Sequence, residues 1–149
     1  MTFGTEVENG IYAGGQPSEA EFKDLRPRGF RRVIDLRPPS EDRGFDEAKA
    51  AALQKLEYVC LSIAGEADLT LTHVKQLDAL LSDPATPMTL VHCGSSNRVG
   101  ALFALRAAWL KDATFEEALA VGRSAGLTGL EPAVRAAIAK QRSKNVSVI

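Results

Sequence analysis

The stretch MTLVHCGSSNRVGALFALRAAWL, 88–110, constrains the fold more than any other part of the chain. A charge-free, β-rich run, MTLVHC, leads into four small polar residues, an arginine, and then a helix-forming segment. Ten of the twelve residues at 99–110 are apolar, so this helix is expected to be buried nearly all round. A strand with no polar face beside a helix with no polar face requires a layered α/β core in which neither meets water.

The rest of the chain fits that demand. RRVIDLR, 31–37, closed by Pro38-Pro39, and EYVCLSI, 57–63, read as two further strands, with 11–13 as a short edge strand ended by Gly14-Gly15. Ser18 with Glu21 and Thr114 with Glu117 fit capping boxes for two helices. Helical spacing of apolar residues marks 45–56 and the segment from Leu71 to Leu81, which Pro84 and Pro87 follow. Glu131-Pro132 opens a last helix. The expected architecture is a central, mostly parallel sheet of about four or five strands flanked by helices, with a helical pack at the C-terminal end. With 149 residues, no repeat and no linker, one domain over 1–149 is expected.

Charge narrows the function classes. A formal net charge of -1 offers no global basic field for nucleic acid or an anionic membrane, so anion recognition must be local. The polar start MTFGTEVENG lacks the pattern of a secretory signal, and the longest apolar stretch is too short to span a bilayer. Cys60 and Cys93 read as free thiols of a cytoplasmic protein. Cys60, inside YVCLSI, reads as a packed apolar thiol.

The chemistry concentrates at Cys93. Gly94, Ser95, Ser96 and Asn97 are small enough for a backbone to wrap around a ligand, with successive N–H groups forming an anion nest. The following helix adds its N-terminal partial charge, and Arg98 can offer a bidentate fork. The same surroundings favour the Cys93 thiolate, the nucleophilic form. His92 either shapes this loop through nearby backbone or is a satisfied core histidine. His73 reads as solvated. Asp35 and Arg37 read as an ion pair at a strand end, and Glu41-Asp42 either lines the site mouth or starts a solvated helix. No spacing suggests a metal site, and no cofactor is expected.

VHCGSSNR resembles the signature loop of the cysteine-dependent protein tyrosine and dual-specificity phosphatases: strand, His-Cys, loop, Arg, helix. IYAGGQPSEAEFKDLRPRGFRRVIDLRPPSED resembles the opening of a bacterial phosphatase-like branch named after a β-lactamase-hydrolase-like protein, and the similarity runs from about Ile11 to Arg135. The resemblance implies a Cys93 nucleophile, an oxyanion cradle of Gly94, Ser95, Ser96, Asn97 and Arg98, and a phosphorylated protein or small molecule as substrate. It also implies a general acid after the second strong strand. Asp68 is the first candidate there and Glu66 the second. Asp68 or Thr70 can equally cap the helix beginning near Leu71. Two features depart from the usual signature. Four residues, not five, separate Cys93 from Arg98, as in the bacterial branch, and Val99 stands where a Ser or Thr is usual. Rhodanese-type sulfurtransferases also use the shorter loop, around a persulfide. A sulfurtransferase and a weakly active phosphate-binding module therefore stand beside the phosphatase reading.

Overall fold

The structure, a computed structural model, describes residues 3–147. Residues 1, 2, 148 and 149 of the expected domain lie outside the described residues. The chain runs β1 (Thr5–Glu8), β2 (Ile11–Gly14), α1 (Glu19–Lys23), β3 (Arg32–Asp35), α2 (Glu47–Leu53) and β4 (Glu57–Cys60). A 3-10 turn (Glu66–Asp68) and α3 (Leu71–Leu81) follow, then β5 (Thr89–His92), α4 (Asn97–Leu110), α5 (Phe115–Ser124) and α6 (Glu131–Ser147). The strands form one sheet in the order β1-β2-β5-β3-β4. β1 pairs antiparallel to β2, and every other pairing is parallel.

This is the mostly parallel sheet the sequence leads one to expect, with one addition. β1 is the antiparallel edge, and β2, expected at the edge, is internal to it. TEVE carries too few apolar residues to announce a strand; pairing with β2 supplies its order.

β3 and β5 are buried at every position, and their alternating side chains feed two cores. Val33 and Leu90 face a smaller core with Phe22, Leu25, Phe30, Ala51 and Leu56, which α1 and α2 cover. Ile34 and Val91 face the larger core under α3, α4, α5 and α6. That second layer is the expected helical pack. α4 is its centre, and Gly100 permits close approach: a Cβ there would lie 2.2 Å from the Leu127 amide nitrogen.

Local signals hold well. Both capping boxes form, Ser18 with Glu21 and Thr114 with Glu117. α2 is shorter than the apolar spacing suggests, because Asp46 caps it at Lys49 N and Lys55 turns left-handed just past its end. Cys60 corrects an expectation. It is exposed, because β4 is an edge strand with one flank unpaired, and its thiol reaches only the Arg37 carbonyl at 3.4 Å. Among the described residues, no helix is long and apolar enough to cross a membrane.

Candidate active site

The carboxyl ends of β2, β5 and β3 lie side by side and deliver Gln16, Cys93 and Arg37 to one edge of the sheet. The Cys93 amide still bonds to the Gly14 carbonyl at 3.3 Å, and the Gln16 amide to the Gly94 carbonyl at 2.9 Å. Past that point the chain leaves the sheet. Among the described residues, no acceptor engages the amides of Gly94, Ser95, Ser96, Asn97 or Arg98. Unpaired amides in succession at a helix start are the donor set an oxyanion requires.

Ser96 makes the turn. It adopts a left-handed conformation, φ 68°, a local strain of about 1 kcal/mol for a non-glycine residue. Its hydroxyl holds it there by donating to the Ala125 carbonyl at 2.6 Å. Asn97 is also tied outward, its Oδ1 accepting from Thr128 N at 2.8 Å and Leu130 N at 3.2 Å. The side chains of Ser96 and Asn97 therefore shape the loop, and their backbone N–H groups remain for a ligand. α4 begins at Asn97, so Arg98 rises from a helical turn rather than from an open loop.

Arg98 is fixed by accounting. Nη1 donates to Glu41 Oε2 at 2.9 Å and to the Ile63 carbonyl at 2.8 Å, and Nη2 donates to Glu41 Oε1 at 3.0 Å. A guanidinium has five N–H groups, so the Nε–H and one Nη2–H are left, side by side on one edge. A Cβ on Gly94 would lie 3.4 Å from Nη2, which places that edge against the loop. The Glu41 hydrogen bonds raise the Arg98 pKa most; burial opposes them, and the sulfur of Cys93 adds to the rise. Arg98 is thus a permanent cation pinned from behind. In return Arg98, with Arg37 in support, holds the Glu41 carboxyl at about 2 against the opposing pull of burial.

Glu41, weighed from sequence as lining the site mouth or starting a solvated helix, starts no helix; it is part-buried, lines a cavity with Tyr58 and Cys60, and clamps Arg98. The signal was available: a loop arginine needs a carboxylate, and the loop after β3 carries Glu41 and Asp42 at the right end of the sheet. The expected Asp35–Arg37 ion pair is also corrected. Asp35 is fully buried and pairs with Arg43 at 2.6 Å, while Arg37 gives Asp35 only its backbone N–H and turns its side chain to Glu41. Arg43 reaches Asp35 because the turn at 38–44 folds back, with its guanidinium also donating to the Arg37 and Glu41 carbonyls. Its pKa is raised: burial alone would lower it, and the Asp35 contact overrides that.

His92 is both things considered for it, a buried histidine and a support of the loop. Nδ1 lies 3.2 Å from the Cys93 carbonyl oxygen and Nε2 lies 2.5 Å from Glu47 Oε2. Both neighbours are acceptors, so Nδ1 carries a proton toward the Cys93 carbonyl and a second proton lies between Nε2 and Oε2. Asp35, Glu47 and His92 bring donor atoms within 4.8 Å of one another, a grouping their sequence spacing conceals. Each carboxylate accepts hydrogen bonds, Asp35 from Tyr58 and Arg43 and Glu47 from Gln16, and His92 Nε2 lies against Glu47. These bonds tie the three side chains to one another and to the elements around them. His73 is not simply solvated; its Nδ1 lies 2.8 Å from Thr70 Oγ1.

Of the two acid candidates, Asp68 is held and Glu66 is exposed. The Asp68 carboxylate accepts from Ala64 N at 2.8 Å. The peptide joining Ile63 to Ala64 therefore touches Arg98 through its carbonyl and Asp68 through its N–H. Asp68 does not cap α3. Thr70 does, accepting from His73 N at 3.3 Å.

Comparisons with known proteins agree with this layout. A family model described as "DSP-PTPase phosphatase fused to NAD+ Kinase" matches residues 2–141. A beta-lactamase hydrolase-like protein of Xylella fastidiosa is 32% identical over 108 residues, covering 67% of this chain and 24% of the relative. The chain thus spans about a quarter of the length of the curated relatives it matches. Among solved structures, a candidate phosphatase from Neisseria meningitidis superposes with a TM-score of 0.74 at 19% identity, covering 90% of this chain and 94% of that one. The catalytic core of a PP-IP phosphatase from S. cerevisiae, in complex with citrate, gives 0.71 at 17% identity, covering 97% and 94%. At such identities these two structures speak for the fold, and the family match speaks for membership. The chain belongs to the family of DSP-PTPase phosphatase domains that this model describes.

Proposed function

We propose that the protein hydrolyses a phosphomonoester through a phosphocysteine intermediate on Cys93. The observation that carries this reading is the coincidence, on one six-residue loop, of a buried thiol, a run of unpaired amides and a clamped arginine edge. The Cys93 thiolate attacks phosphorus in line and the P–O bond to the leaving group breaks. The loop amides of Gly94, Ser95, Ser96 and Asn97, with the free edge of Arg98, hold the equatorial oxygens as charge redistributes. Asp68 gives its proton to the leaving oxygen. Water, deprotonated by the same carboxylate, then displaces the thiolate and releases phosphate. Fixing Arg98 from behind with Glu41 and the Ile63 carbonyl removes the reorganisation otherwise needed when charge develops.

The substrate is a phosphorylated protein side chain or small molecule. Two free cysteines suit a reducing compartment such as the cytoplasm. The four-residue spacing favours a second reading, a sulfurtransferase carrying sulfur as a Cys93 persulfide within the same amides. Purified protein offered an aryl phosphate should release phosphate, and Cys93→Ser should abolish that release while retaining sulfate binding. Thiocyanate formation from thiosulfate and cyanide, without phosphate release, would replace this reading by the second; anion binding with neither activity would leave a binding module.

A further inference from the structure

We propose that Gln16 is a positioning residue that couples the two ends of the 93–98 loop through a closed ring of hydrogen bonds. The inference rests on the loop being an anion site and asks which residue keeps that loop in shape.

The ring can be followed atom by atom. His92, beside Cys93, bonds to Glu47 Oε2 at 2.5 Å. Glu47 Oε1 accepts from Gln16 Nε2 at 2.7 Å. Gln16 Oε1 accepts from Arg37 Nη1 at 3.0 Å. Arg37 Nε donates to Glu41 Oε1 at 2.8 Å, and Glu41 accepts both terminal nitrogens of Arg98. The backbone closes it, because Gln16 N also bonds to the Gly94 carbonyl. One side of the ring ends at His92, against the Cys93 carbonyl, and the other at the Arg98 guanidinium.

Gln16 is the one member that joins the two halves, and the join demands an amide. It must donate to a carboxylate on α2 and accept from a cation on the loop after β3. A carboxylate at 16 could not donate to Glu47, an ammonium could not accept from Arg37, and an apolar side chain could do neither. The Glu47 carboxylate is buried, so a lost donor there has little water to replace it. Members of one hydrogen-bonded ring respond together, and their substitutions combine non-additively.

The test reads sulfate binding by calorimetry and Cys93 alkylation by iodoacetamide, neither of which needs turnover. Gln16→Leu is expected to weaken sulfate at least fivefold and to change the alkylation rate at fixed pH, in a protein that still folds by circular dichroism but melts at a lower temperature than wild type, as the buried Glu47 carboxylate loses a donor. Combined with Glu41→Gln, the loss should be no larger than the greater single loss. Gln16→Glu adds a readout that a packing role would not move. Its sulfate affinity relative to wild type should be low at pH 7.5 and should rise toward wild type at pH 4, where a protonated carboxyl can donate to Glu47. The groups facing position 16 are Glu47 and Arg37 directly and Asp35, Glu41, Arg43, His92 and Arg98 behind them, so each variant is compared with wild type at the same pH. Sulfate affinity within twofold of wild type in Gln16→Leu, or losses that multiply in the double variant, would overturn the proposal. If Gln16→Leu does not fold, Gln16→Glu decides, and equal weakness at both pH values counts against the ring. Wild type that binds sulfate with this coupling but releases no phosphate leaves the ring standing and removes the phosphatase reading; unaltered turnover and binding in Gln16→Leu does the reverse.

Discussion

Replacing Glu41 by Gln keeps the shape of the Arg98 clamp and removes its charge. The wild-type carboxyl sits at about 2 instead of 4.5, chiefly through its hydrogen bonds from Arg98, with burial opposing and Arg37 assisting. A fall of that size corresponds to about 3 kcal/mol in favour of the folded state at neutral pH. The Glu41 side chain is 28% exposed, and solvent screening brings the expected loss in E41Q to about 1–2 kcal/mol. The sign follows from the direction of the shift. A carboxyl depressed by folding stabilises above its unfolded value and loses that contribution as pH falls from about 4.5 through about 2. Urea unfolding of wild type and E41Q should therefore show a gap at pH 7 that narrows clearly at pH 3.5. A gap that stays constant with pH, or one below about 0.5 kcal/mol at pH 7, would show that Glu41 is not an ionised partner of Arg98.

Three further outcomes follow from the geometry. Asp68→Asn should lower kcat about a hundredfold for a phenyl or alkyl phosphate and only a few-fold for a dinitrophenyl phosphate, since a good leaving group needs no proton; Glu66→Gln, assayed alongside, should match wild type. Gly100→Ala should destabilise by about 3 kcal/mol or more, read by thermal melting, because its Cβ would meet the Leu127 nitrogen at 2.2 Å and the Gly122 oxygen at 2.6 Å. Thr70→Ala should cost about 1 kcal/mol as the lost cap of α3, whereas Asp68→Asn should leave that helix intact by circular dichroism.

What the sequence disclosed and what it concealed divide by range. Capping boxes span four residues, and the strand–Cys93–loop–Arg98–helix order is one continuous stretch of chain; both are complete in the sequence and both appear in the structure. The partners of those residues are distant. Glu41 meets Arg98 across 57 positions, Glu47 meets His92 across 45, and Gln16 meets Glu47 across 31. Such pairs exist only once β2, β5 and β3 stand side by side, and strand order is not written in local periodicity. Exposure of Cys60 was concealed for the same reason: an apolar run looks alike in a central strand and at an edge.

The short loop and the early helix are one feature. With only four residues between Cys93 and Arg98, a loop lying wholly outside the helix would leave Arg98 too little chain to turn back over the sulfur. The chain resolves this by starting α4 at Asn97, so that the last loop residue and Arg98 already lie on helical geometry. The joint is then a single residue, Ser96, which must take the left-handed conformation without being glycine. Its strain is offset by the hydroxyl bond to Ala125, and the approach leaves no room at position 126, where a Cβ would fall 2.5 Å from the Ser96 side chain. The loop's shape is therefore imposed from two sides: by the α5–α6 connection that holds Ser96 and Asn97, and by the polar ring that holds His92 and Arg98. Anion binding on such a loop needs little rearrangement, which is the physical condition for stabilising charge that exists only in a transition state.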